Sequence, residues 1–120
     1  MSETETEFAN AFEAARAWRE AGQTPAEVAR VLRTPLADGG WDLSAERVAR
    51  VLYRTDGLDL TEAEVAQVLH SAEGLGLSAD ETAQVLHSAE GLDLTVGRVA
   101  RALRDGLGLS AERVTRVIHG

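Results

Sequence analysis

The ten residues AQVLHSAEGL stand at positions 66–75 and again, letter for letter, at 83–92. Aligned outward from this pair, the chain resolves into one unit used several times. Each copy opens on Leu followed by Ser or Thr: Leu43-Ser44, Leu60-Thr61, Leu77-Ser78, Leu94-Thr95 and Leu109-Ser110. The first three intervals are 17 residues and the last is 15. Thr24-Pro25 opens a related copy, whose AEVARVL matches AERVARVL at 45–52. A fixed period of this kind is the signature of stacked supersecondary units.

The punctuation within the unit is helical. The Ser or Thr suits an N-cap, its oxygen accepting from an otherwise unpaired N–H of the first turn. Thr24/Glu27, Thr61/Glu64 and Ser78/Glu81 have capping-box spacing, and Pro25 falls at the first helical position, where a missing N–H is harmless. The Leu before the cap can staple onto the residue beyond it, as Leu60 onto Val65. Val65, Val68, Leu69 and Ala72 follow the i, i+3, i+4, i+7 stripe of an amphipathic helix. At the far end Gly57, Gly74, Gly91 and Gly106, each followed by Leu, are expected to take the left-handed turn that closes a helix. Phe8, Phe12, Ala15 and Trp18 or Arg19 mark a first helix ending at Gly22, Pro35 stops the second, and Trp41 replaces the linker Leu and reads as core. The spacing predicts helices over 5–21, 25–33, 45–56, 62–73, 79–90, 96–105 and 111–119.

Links this short favour antiparallel or steeply crossed neighbours, and two units match the helix pair of many solenoids. The expected fold is therefore all-α: tandem repeats stacked as a small right-handed α-solenoid, with a compact orthogonal bundle as the alternative. One domain is expected over 1–120, with an N-terminal helix at 1–22, an atypical first repeat and loop at 23–40, and regular repeats over 41–120. The stretch HSAEGLGLSADETAQVL is similar, over one helix cap, to the helix pairs of TAL-effector DNA-binding arrays. The base-reading loop and basic stripe of that family are missing, so no function is carried over.

Composition narrows the chemistry. The chain has 120 residues, is 44% hydrophobic and only 4% aromatic, so its core must be built from Val, Leu and Ala. With no cysteine there is no disulfide and no thiolate ligand or nucleophile. The absence of a long apolar run or leader points to a cytoplasmic protein. A net charge of −8 weighs against non-specific binding to nucleic acid or to a membrane.

All three histidines occupy one position of the unit, directly after the last core Leu or Ile: His70, His87 and His119. Elsewhere Arg33, Tyr53 and Arg104 stand there. A site accepting Arg, Tyr and His is the flank of the apolar stripe, with the stem on the core and the tip in water. His70/Glu73 and His87/Glu90 have the spacing of two ligands on one helical face, acceptable to zinc or iron. Antiparallel packing would hold the two imidazoles more than about 10 Å apart, too far to share one ion, so no metal or other cofactor is expected.

Charge differs between copies. From 55 to 97 there are nine acidic residues and no Arg, whereas from 98 onward five Arg face Asp105 and Glu112. The third and sixth positions after the cap read Arg47/Arg50, Glu64/Gln67, Glu81/Gln84, Arg98/Arg101 and Arg113/Arg116, neighbours on one helical face. The six arginines of these pairs are the candidate partner-binding residues, for a protein partner or a second copy. Phosphate contacts by the same arginines form the nucleic-acid alternative, against which the acidic middle works. No nucleophile–base set, P-loop or Gly-rich cradle is present, so no catalytic residue is assigned; a small all-α enzyme is the remaining alternative. The sequence thus favours a non-enzymatic interaction module: an adaptor, scaffold or small regulator.

Overall fold

Six helices begin at the Ser or Thr that the sequence marks. In the computed structural model the hydroxyls of Thr24, Ser44, Thr61, Ser78, Thr95 and Ser110 accept from the N–H three residues on, at 3.1–3.3 Å. Three of these are closed capping boxes, with Glu27, Glu64 and Glu81 reaching back to the cap N–H. The structure describes residues 3–54, 57–88 and 91–119, and all of their side chains except those of 3–9, 36 and 119. Within them lie seven α-helices: α1 (Glu3–Glu20), α2 (Pro25–Arg33), α3 (Ala45–Tyr53), α4 (Glu62–His70), α5 (Ala79–His87), α6 (Val96–Leu107) and α7 (Ala111–His119). A single 3-10 turn, Leu36–Asp38, fills the loop after Pro35.

The expected far ends of α3, α4 and α5 are corrected: each helix stops three residues early, at Tyr53, His70 and His87. The cause is competition for backbone carbonyls. In a longer α4, Val68 and Leu69 would accept from Ala72 and Glu73; instead they accept from the returning amides of Leu75 and Leu77, at 3.3 and 2.9 Å. Val51 and Leu52 are taken in the same way by Leu58 and Leu60. The link therefore satisfies carbonyls that a helix end leaves open.

The glycine expectation changes with it. Gly57, Gly74 and Gly91 are not the left-handed residues; those are Asp59, Gly76 and Asp93, two positions later, with φ of +53°, +64° and +52°. The first three glycines serve a close approach instead. A Cβ on them would lie 1.9–2.0 Å from the carbonyl oxygens of Val51, Val68 and Val85. Gly106 sits inside α6, which runs on to Leu107 and is closed by the left-handed Gly108. A Cβ on Gly106 would meet the Ala63 carbonyl oxygen of α4 at 2.5 Å, so this glycine permits a close crossing of α4 and α6.

Among the described residues the backbone of each helix packs against the next and the next but one, and the Arg98–Tyr53 hydrogen bond also ties α6 to the end of α3. The helices are thus packed in chain order around one core. At this length the body is stout, 41 × 31 × 26 Å with a radius of gyration of 13.9 Å, against about 13.6 Å expected of a compact 120-residue domain. Leu52, Leu69, Leu86 and Leu103, spaced by 17, are fully buried, as is Leu32; each contributes roughly 1.5–3 kcal/mol through burial. Trp41 is half-buried, edge-on to Trp18 with ring centroids 6.3 Å apart, and closes the core at the α1 end. No helix of the described residues is long and apolar enough to cross a membrane.

Candidate functional site

The short last link sets the site. Because α6 extends to Leu107 and only Gly108, Leu109 and Ser110 separate it from α7, α7 lacks the eight-residue connection seen between α4 and α5. A groove of about 380 Å³ lies between α5, α6 and α7. Helix α5 lines it with Asp80, Ala83, Gln84 and His87, whose spacing places them on one face. Val96 and Val99 line it from the start of α6, and Val117 and Ile118 from the last turn of α7.

Val96 is the one large hydrophobic residue of the described set that is exposed, at 51%. It occupies the first helical position after the cap, where the other copies have Pro25, Ala45, Glu62, Ala79 and Ala111. Two units earlier, Tyr53 and Glu62 stand in the places of His87 and Val96. There the Tyr53 hydroxyl donates to Glu62 Oε2 at 3.2 Å, and a guanidinium nitrogen of Arg98 donates to both the phenol and the carboxylate. One unit earlier, Gly106 lets α6 close down on α4. The α5–α7 position has neither that polar bridge nor that glycine, and its valine faces solvent.

The candidate arginines divide into two groups. Arg98 and Arg101 on α6 and Arg113 and Arg116 on α7 are exposed and lie on helices in contact. Arg47 and Arg50 are half-buried on α3, whose backbone packs against neither α6 nor α7. Arg98 is already engaged with Glu62, and that carboxylate holds the guanidinium's pKa above its ordinary value. Arg116 pairs with Glu112 one turn away at 3.2 Å, both well exposed, a contact worth well under 1 kcal/mol.

The histidines do something the sequence did not reveal. Nδ1 of His70 lies 2.8 Å from the carbonyl oxygen of Leu77, and Nδ1 of His87 lies 2.8 Å from that of Leu94. Arg33 holds the corresponding carbonyl of Leu43 at 3.3 Å. The tip at this position therefore ties down the link before the next cap, with each histidine serving a different link. Among the described residues no group of three or more His, Asp or Glu could hold a metal ion. Glu90, proposed as a ligand beside His87, and the side chain of His119 lie outside the described residues.

Sequence reasoning missed Val96 and the Tyr53–Glu62–Arg98 bridge. The signal for Val96 was available as the only β-branched residue at the first helical position of any copy. The bridge joins residues 45 and 36 positions apart, which no local pattern encodes. Comparison of the chain with models of protein families, with curated proteins and with solved structures gave no match in any of the three.

Proposed function

We propose that the chain is a non-enzymatic protein-interaction module, an adaptor, scaffold or small regulator that binds through the groove between α5, α6 and α7 and the charged faces beside it. The observation that carries this reading is Val96, a bare apolar side chain at the mouth of a groove floored by Val99 and walled by Val117 and Ile118. An exposed apolar side chain continuous with an apolar groove is one whose burial by a docked surface is favourable. Asp80 and Glu81 on one side and Arg113 and Arg116 on the other are exposed, and charges of this kind set orientation and encounter rate more than affinity.

The test is a bait comparison in the source cell. Wild-type chain and Val96→Glu are used side by side, with circular dichroism confirming equal helicity. The expected result is a protein retained by the wild type and lost with the variant. Equal retention by both, or no retained protein, would overturn the reading.

A further inference from the structure

We infer that the partner in this groove is a second copy of the chain, docked through the same surface about a twofold axis. The inference rests on the proposed role of the groove and adds the identity of its occupant.

The groove lies on a charge boundary. Its α5 wall belongs to the stretch 55–97, which holds nine acidic residues and no Arg, while α6 and α7 carry five Arg against Asp105 and Glu112. On the surface these appear as exposed Asp80 and Glu81 on α5 and exposed Arg113 and Arg116 on α7, helices that both line the groove. A twofold operator turns such a boundary onto itself. The acidic wall of each copy then meets the basic helix of the other, and the apolar strip between them meets its own image. An isologous contact requires this self-complementarity. A copy docked in parallel register would instead set acid on acid and Arg on Arg. Val96 gains cover from the partner strip, replacing the cover that Tyr53, Glu62 and Arg98 give the corresponding position inside the chain.

Light scattering coupled to size exclusion tests this at low and high salt. The expected species at low salt has twice the 12.8 kDa mass of one chain, dissociates as salt screens the cross-pairs, and is lost in Val96→Glu. A charge exchange separates this contact from general stickiness. Asp80→Arg alone and Arg113→Glu/Arg116→Glu alone are each expected to be monomeric, whereas the triple variant, or an equimolar mixture of the two, recovers the dimer. All of these positions are exposed, so folding is checked by an unchanged melting temperature to within a few degrees. A monomer at both salts, a ladder of open-ended oligomers, or a triple variant that stays monomeric would each overturn the twofold contact. A monomer whose wild-type bait still retains a Val96-dependent partner would sink this inference alone; loss of both results would remove the interaction reading as well.

Discussion

His87 and Leu94 are joined across the α5–α6 link by a 2.8 Å contact from the imidazole Nδ1 to the carbonyl oxygen. A carbonyl oxygen can only accept, so Nδ1 carries the proton and Nε2 is left to solvent or to the groove that His87 lines. His70 and Leu77 repeat the relationship one unit earlier. The identical decapeptides therefore specify one device twice: a helix, its last side chain, and the link which that side chain ties back.

The neutral form of both imidazoles is accordingly expected to be the Nδ1–H tautomer. Long-range proton–nitrogen NMR spectra of the neutral rings report this directly. Signals of an Nε2–H tautomer would remove the clasp. Replacing either histidine by Ala is expected to lower stability by about 0.5–1.5 kcal/mol, the net worth of one such hydrogen bond.

The two glycines of the α4–α5 link are expected to differ in what they tolerate. At Gly76, with φ of +64° and nothing within 4 Å of a built Cβ, Ala carries only the left-handed penalty, about 1–2 kcal/mol. At Gly74 a Cβ would lie 2.0 Å from the Val68 carbonyl oxygen, a backbone atom held by the Leu75 amide. Gly74→Ala should therefore be the more damaging, at about 3 kcal/mol or more, since the link itself must move. Denaturant melts of the two variants decide the order; equal losses would mean that Gly74 is not closely approached.

The same link shows where sequence reasoning reaches and where it stops. Helix starts were legible because a cap is local: a hydroxyl, three residues, one N–H. The helix ends were not, because Leu75 and Leu77 take carbonyls seven and eight residues behind them, a competition that no cap pattern records. Glycine spacing flagged the turns at Gly57, Gly74 and Gly91 but not at Gly106, which lies inside α6, and it could not say which residue turns left-handed, since Asp59 and Asp93 do so without being glycine. The groove was illegible for a further reason. It exists only because α7 packs beside α5, and its mouth is marked by one substitution, Val96, within an otherwise regular unit.

Helix α6 offers a matched pair of tests. Gly97 has open space where a Cβ would go, so Gly97→Ala is expected to stabilise by about 0.5–1 kcal/mol by reducing backbone entropy in the unfolded chain. Gly106 would place its Cβ 2.5 Å from Ala63 O and 3.1 Å from Ala66 Cβ on α4. Gly106→Ala should destabilise by about 1–3 kcal/mol, the strain of overpacking outweighing the gain in helix propensity. If both variants stabilised, the close crossing of α4 and α6 would be wrong.

Thr82 stands where the other copies have Val48, Val65, Val99 and Val114. It is fully buried, and its hydroxyl has no hydrogen-bond partner among the described residues. Thr82→Val keeps the shape and removes the unpaired group, so a gain of about 1–2 kcal/mol is expected, roughly 4–8 °C in melting temperature. No gain would mean that the hydroxyl is satisfied in solution.

Glu64 makes the fold sensitive to acid. Its carboxylate accepts from the Thr61 backbone N–H at 3.0 Å, and this contact, followed by that with the Thr61 hydroxyl, holds its pKa below the ordinary value of 4.5. A lowered folded-state pKa means that the unfolded chain takes up the proton first on acidification. The contribution is therefore complete above pH 4.5 and declines as pH falls through the lowered folded-state value. Because Glu64 is exposed, solvent screening keeps its share well under 1 kcal/mol. In Glu64→Gln the amide can still accept from Thr61 but does not titrate. Chemical melts between pH 3 and pH 6 should then show a shallower loss of stability toward acid than the wild type. Parallel curves would mean that the Thr61 contact does not hold the carboxylate in its ionised form.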